Sequence, residues 1–201
     1  MAVLFLSDLH LSPARADLAQ AFRRFLAGPA QGAQAVYLLG DLFEYWAGDD
    51  ELDDAQGFGA RILRDIRDCA DTGVPFHFMR GNRDFLAAGR FASAGGLTIL
   101  EDPTAIEVHG RRVLLSHGDA LCTDDASYQA FRAQVRSPAW AAAFLARPLA
   151  ERKAEIEALR ARSEAEKKVK SAQIMDVNPQ AVEALLRAHG YPTLIHGHTH
   201  R

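Results

Sequence analysis

The chain has 201 residues, 48% hydrophobic and 24% charged, enough for one globular domain with a substantial core and room for an elaboration. A net charge of −3 excludes the strongly basic footprint of a nucleic-acid-binding protein. No run approaches the roughly 18 apolar residues that span a bilayer. The opening MAVLFLSDLH lacks the basic segment and apolar length of an export signal, and Cys69 and Cys122 stand in unrelated contexts that imply a reduced compartment. The expected location is the cytoplasm or a membrane surface.

In chain order, residues 3–6 (VLFL) read as a first strand, left through the loop DLHLSP. Ser12 and Pro13 read as the N-cap and first residue of a helix carrying Leu18, Phe22, Phe25 and Leu26 on one face. A second strand over 36–39 ends in Gly40–Asp41, and an acidic loop follows with Asp49, Asp50, Glu51, Asp53 and Asp54. A helix over 58–71 is stopped by Gly73. The strand 74–79 opens into Arg80–Gly81–Asn82–Arg83–Asp84, and a short helix is expected over 85–93. Segments 105–108 and 113–115 flank His109–Gly110, a hairpin signal. From 122 to 172 the pattern is helical without strands. Asn178–Pro179 caps a last helix, Gly190 ends it, and a strand over 193–195 leads into Gly197–His198–Thr199–His200.

Strands alternating with helices indicate an α/β sandwich. The expected division is a core of 1–121 plus 173–201 and a helical insertion of 122–172. The insertion begins apolar, with Phe131, Val135, Trp140, Phe144, Leu145 and Leu149. Between 147 and 170 it carries eight Lys/Arg against five Glu, a local +3 that leaves −6 for the rest of the chain.

Eight metal-capable side chains recur where expected strands end: Asp8, His10, Asp41, Asn82, His117, His196, His198 and His200. Open α/β sheets place their chemistry beyond the carboxyl ends of the strands, so five scattered segments converge. Taken singly each has a plainer account: Asp41 as a helix cap, Asn82 as a turn residue. Three histidines in five residues are hard to explain by packing. Carboxylates, a carboxamide and imidazoles together suit Mn, Fe, Zn or Ni rather than calcium, and a structural zinc site would use cysteine. Nothing beside His77, His109, His189 or Cys122 gives these four a function.

The blocks DLH, GDLFEYW, GNRDF, SHGD and GHTH resemble, in order, the five motifs of the calcineurin-like metallophosphoesterases. The longer stretches GDLFEYWAGDD, GNRDFLAAGRF, HGDALCTDDASYQAFR and MDVN are similar to the branch of that family that cleaves the diphosphate of an acylated nucleotide sugar in lipid A synthesis. The resemblance implies a metallophosphoesterase-type β-sandwich flanked by helices, with a helical cap insertion. It implies two Mn²⁺ ions, other divalent transition metals being open on ligand type alone. Asp8, His10, Asp41 and His200 surround one, and Asp41 bridges to the second, which Asn82, His117 and His198 complete. His196 falls outside this set, as a histidine packed at the strand end or supporting a ligand from behind.

Asp41, Asn82 and Arg83 are the implied catalytic residues. Asn82, Arg83, Asp125, Ser163, Lys167, Lys170 and His198 are the implied substrate contacts. Many relatives carry histidine where Arg83 stands; a guanidinium cannot act as proton donor near neutral pH, but its fork neutralises two phosphates. Arg83 either serves that purpose or pairs with Asp84 or the acidic loop. The implied reaction is attack of a metal-activated water on the α-phosphorus, and the implied partners are a lipid-linked nucleotide sugar and the cytoplasmic face of the bacterial inner membrane. No nucleic acid or protein partner is expected. The residues themselves leave open another nucleotide diphosphate as substrate, or a binding module without metals. The apolar part of the insertion either accepts acyl chains or packs as core, and its basic part either meets anions or is a solvated helix face. The chain stops at Arg201, directly after the last expected ligand, so the C-terminal strands that follow in the family are expected to be missing.

Overall fold

The computed structural model describes residues 1–167 and 174–200. Lys170 and the side chain of Lys167 lie outside what it describes. Among the described residues, β1 (Val3–Leu6), β2 (Ala35–Leu39), β3 (Phe76–Met79) and β4 (Leu97–Leu100) form one parallel sheet in the order β1-β2-β3-β4. A second sheet pairs β5 (Thr104–Val108) antiparallel with β6 (Arg111–Ser116), and β6 parallel with β7 (Thr193–His196). The helices α1 (Ala16–Ala27), α2 (Phe58–Ala70) and α3 (Gly89–Gly95) belong to the first half of the chain.

Alternation along the strands sorts the first sheet's two faces. Val36, Leu38, Phe76 and Phe78 join Phe22, Leu26, Ile62, Leu63, Ile66 and Phe91 in the main core beneath the helices. The opposite face presents Leu39 and Met79 to Val113 and Leu115 of β6, closing a smaller core between the sheets. This is an α/β sandwich, and both sheets direct the ends of β1, β2, β3, β6 and β7 to one rim.

Three helices then follow without a strand: α4 (Ala126–Val135), α5 (Pro138–Leu145) and α6 (Leu149–Lys167). Ser137 caps α5 by accepting from Trp140 N, with Pro138 in the first turn. Asn178 accepts from the amides of Gln180 and Ala181 at the start of α7 (Pro179–Ala188), as the Asn-Pro signal predicts.

Three local expectations fail for identifiable reasons. The first helix does not begin at Ser12–Pro13. The chain leaving β1 continues beside the chain leaving β2, with Leu11 N on Leu42 O at 2.9 Å and Glu44 N on Leu11 O at 3.0 Å. This holds residue 11 extended, and Ser12 and Pro13 fall in a turn before α1. The helix expected over 85–93 occupies Gly89–Gly95, because its amides at Arg90 and Phe91 are satisfied by the distant Asp49 carboxylate at 2.9 and 3.0 Å. The strand β4 was not expected at all; it is a four-residue edge strand entered through the left-handed Gly96 (φ 63°).

Candidate metal centre

All seven expected ligand side chains reach the same rim, from five strand exits. Asp41 is central. His10 Nε2 stands 3.8 Å from its Oδ2 and His117 Nε2 3.7 Å from its Oδ1, so the two oxygens face different imidazoles. On one side His10 Nε2 and His200 Nε2 approach to 3.3 Å, and His200 Nε2 lies 3.7 Å from Asp8 Oδ1. On the other, Asn82 Oδ1 meets His117 Nε2 at 3.0 Å and His198 Nδ1 at 2.8 Å. His196 stands apart, its Nδ1 2.9 Å from Gly197 O and its ring against Gly118.

The backbone aims these groups. Asp8 N donates to Gly40 O at 3.1 Å and His10 N to Asp41 O at 3.0 Å, carrying the β1–β2 pairing past the sheet. Asp8, His10, Asp41, His198 and His200 all adopt positive φ, between 47° and 70°. Left-handed turns at strand ends swing the side chains out of the sheet plane, and Asp and His are among the residues that tolerate them. His117 Nδ1 meets Leu39 O at 2.9 Å, which fixes the ring and leaves Nε2 facing the centre. His198 N donates to Asp8 Oδ2 at 2.8 Å, tying the last loop to the first.

Sequence reasoning considered Asp84 only as a possible partner of Arg83. Fully buried, it accepts the amides of Leu42 and Gly81 at 2.8 Å and of Asp41 at 3.3 Å, locking the Asp41 and Asn82 loops together. The signal was its place in GNRDF, a carboxylate within reach of the amides of its own strand-end loop. Arg83 N donates to Asp41 Oδ1 at 2.8 Å, and its side chain lines a cavity above the centre.

Electrostatics favour a cation. Burial pushes the Asp41 carboxyl up to about 7 against the pull of His117, and burial also raises Asp84. Burial opposes charge on His117, yet Asp41 and Asp119 raise it. Asp8 Oδ1 is buried without a hydrogen bond. The ligand atoms of Asp8, His10 and His200 lie within 4.8 Å of one another, as do those of Asp8, Asp41 and His117. This crowding of carboxylates and imidazole nitrogens fits divalent transition metals.

The cavity, of about 640 Å³, lies between this centre and helices α4–α6. Asn82, Arg83, His198 and His200 line it together with Asp125 and Ser163. Its apolar lining includes Tyr45, Trp46, Phe85, Phe131, Val135, Trp140, Phe144, Ile156 and Leu159. Phe144 is also part of the main core, with Trp140 stacked on it at 4.5 Å. Asp125 caps α4, accepting from Tyr128 N at 3.1 Å and Ser127 Oγ at 2.8 Å. Cys122 lines the cavity too, but burial and nearby aspartates push its thiol up to about 12, which rules out a ready nucleophile.

Some of the basic side chains of the helical segment pair internally, while the expectations for the Lys167 and Lys170 side chains lie outside the described residues. Arg152, 1% exposed, bonds Ala47 O and Asp50; Lys153 Nζ meets Glu51 at 2.8 Å; Arg160 meets Glu44 at 2.5 Å and lies over Tyr45. These cations face the chain's own acidic loop. Asp119, which sequence reasoning passed over, is the other link: its Oδ2 accepts from Tyr128 Oη, Arg132 Nε and Arg136 Nη2.

A model of the calcineurin-like phosphoesterase family matches residues 1–201. A curated protein of Aromatoleum aromaticum named UDP-2,3-diacylglucosamine hydrolase is 57% identical over all of this chain and 81% of its own length. Proteins of that name from Chromobacterium violaceum and Stenotrophomonas maltophilia are 53% and 50% identical, again over the whole chain and over 84% and 83% of theirs. The chain belongs to the calcineurin-like phosphoesterase family and is a hydrolase, similar throughout its length to the UDP-2,3-diacylglucosamine hydrolases.

Proposed function

We propose that this chain hydrolyses the diphosphate of UDP-2,3-diacylglucosamine in lipid A synthesis, releasing UMP and 2,3-diacylglucosamine 1-phosphate by attack of water on the α-phosphorus. One observation carries the reading: the donor cluster opens into a cavity of about 640 Å³ whose walls combine polar groups with a broad set of apolar side chains, Phe131, Trp140 and Phe144 among them. A diphosphate at the cluster would leave the acylated sugar facing those walls.

Asp8, His10, Asp41 and His200 would hold one divalent cation, and Asp41, Asn82, His117 and His198 a second; manganese is the expected metal. Bound there, two such cations supply hydroxide near neutral pH and hold phosphoryl oxygens. Arg83, beside Asn82 on the cavity floor, sets a guanidinium fork against charge spread over two phosphates. It holds its proton, and the departing sugar phosphate, already a stable anion, needs none. Asn82 and His198 position the diphosphate. Asp125 and Ser163 face the sugar, with Lys167 and Lys170 assigned to the same contact. Segment 122–172 acts as a cap on the core formed by 1–121 and 173–201. No helix of the described residues is long and apolar enough to cross a membrane. Peripheral contact at the cytoplasmic face of the inner membrane would deliver the acylated substrate, and Phe131, 40% exposed on the cavity wall, gives that approach an apolar edge.

The test is UMP release from UDP-2,3-diacylglucosamine in detergent micelles with manganese. The wild-type chain is expected to release UMP, and Asn82→Ala to lose about a hundredfold or more, given that even groups supporting a ligand are worth tenfold to a hundredfold. Absence of UMP from the wild type, or wild-type rates in Asn82→Ala, overturns the reading.

A further inference from the structure

A single buried carboxylate ties the helical segment to two of the ligand loops. Asp119 lies two residues past His117, with no exposed surface. Its Oδ2 receives Tyr128 Oη at 2.9 Å, Arg132 Nε at 2.8 Å and Arg136 Nη2 at 3.1 Å. Tyr128, Arg132 and Arg136 are spaced by four, so they share one face of α4 and its C-terminal residue. Two of the three reach further. Arg136 Nη2 also donates to Gly81 O at 3.0 Å, the carbonyl immediately before Asn82. The Tyr128 ring stacks on the His198 imidazole, with centroids 5.7 Å apart and planes inclined by 27°. Asn82 and His198 meet each other at 2.8 Å, which closes the circuit. Other ties of the segment, such as Lys153 to Glu51, run to the acidic loop, away from the centre.

We propose that Arg136 and Tyr128, organised by Asp119, are positioning residues that hold Asn82 and His198 in ligating register, so that seating of α4 and divalent-cation affinity are linked. The inference rests on the assignment of Asn82 and His198 as ligands made above. A hydrogen bond to the carbonyl of residue 81 fixes the peptide from which Asn82 projects, and a ring laid on His198 limits its rotation. Groups that orient a ligand in this way shift metal affinity without touching the metal. Because coupling between sites is reciprocal, a bound cation should in turn protect α4 from local opening.

The experiment uses the full chain stripped of metal and titrated with Mn²⁺ alone, free ion being followed by electron paramagnetic resonance. Hydrogen exchange of α4 is measured with and without the ion. Arg136→Met keeps the apolar stem and loses both bonds; Lys153→Met removes a tie between segment and core away from the centre. Arg136→Met is expected to bind Mn²⁺ about tenfold or more weakly, Lys153→Met as the wild type. Mn²⁺ is expected to slow α4 exchange in the wild type and in Lys153→Met, and much less in Arg136→Met. Wild-type affinity in a folded Arg136→Met overturns the proposal, as does an equal loss in Lys153→Met, which would mark the contacts as structural only. Should Arg136→Met not fold, Tyr128→Leu decides: it loses the ring laid on His198 and the bond to Asp119, and unchanged affinity there overturns the proposal equally. No substrate enters these titrations, so a wrong substrate leaves their outcome untouched, while a wrong strut leaves UMP release by the wild type intact.

Discussion

Side-chain chemistry at this centre depends on backbone that only certain residues adopt. Five of the seven expected ligands sit at positive φ, a conformation costing on the order of 1 kcal/mol or more each outside glycine. Glycine is needed where two loops touch. A Cβ on Gly40 would stand 2.4 Å from His117 Nδ1, and one on Gly81 would stand 2.1 Å from Asp41 Oδ1 and 2.5 Å from Asp41 N. The second contact is with backbone and with a carboxylate that two imidazoles and the Arg83 amide already surround, so the Asp41 oxygens must shift. Displacement of about 1 Å at a reacting centre costs about a hundredfold in rate. Gly81→Ala is therefore expected to keep its far-UV circular dichroism and lose about a hundredfold or more of UMP release. Near-wild-type turnover would show that Asp41 tolerates the move.

Elements were legible where the signal was local. The apolar run VLFL, the Asn178–Pro179 pair and the stop at Gly190 each rest on neighbours in sequence, and β1, α7 and its end fall where these put them. Eight metal-capable side chains stand out because each follows its strand within a few residues; the resemblance, not the spacing, sets His196 aside, and the other seven reach one rim. What escaped reading depends on groups far apart in the chain. Ser12–Pro13 has the form of a helix start, but pairing of the 8–11 loop with 40–44 overrides it. Asp119 stands in the SHGD block but had no role of its own, because its three donors lie on a helix the sequence does not place beside it. Asp49 is the clearest case. It stands in an acidic run that reads as solvated loop, yet it accepts from Trp46 Nε1, Ala88 N, Arg90 N and Phe91 N at 2.9–3.1 Å, capping α3 from outside. A cap lost to alanine costs about 1 kcal/mol, and an unsatisfied buried donor 1–3. Asp49→Ala is expected to lower stability by roughly 2–3 kcal/mol in urea unfolding, whereas Asp54→Ala, whose carboxylate receives the nearby Gln56 amide, should change it by under 1. Equal effects would show that α3 needs no distant cap.

At the scale of the whole molecule, segment and body are joined at both ends of the cavity. Arg152, Lys153 and Arg160 grip the acidic loop on one side, and Asp119 grips α4 on the other. Part of the segment's positive charge is thus used in holding it down, and on the proposed function the apolar wall contributes selectivity for an acylated substrate. Phe131 tests this best, because it lines the cavity yet remains 40% exposed, whereas Phe144 is 4% exposed and already serves the core. Fully burying a phenylalanine stabilises by about 1.5–3 kcal/mol. Covering what Phe131 still exposes should yield about half of that, and 1.4 kcal/mol corresponds to a factor of ten. Phe131→Ser is expected to raise KM for UDP-2,3-diacylglucosamine about three- to tenfold with kcat within about twofold, since binding energy shared by ground and transition states moves KM alone. UDP-glucosamine without acyl chains should be a poor substrate for both proteins and should not distinguish them. If the variant loses equally on both substrates, Phe131 acts on the centre itself; if it loses on neither, the acyl chains bind elsewhere and the wall is only core.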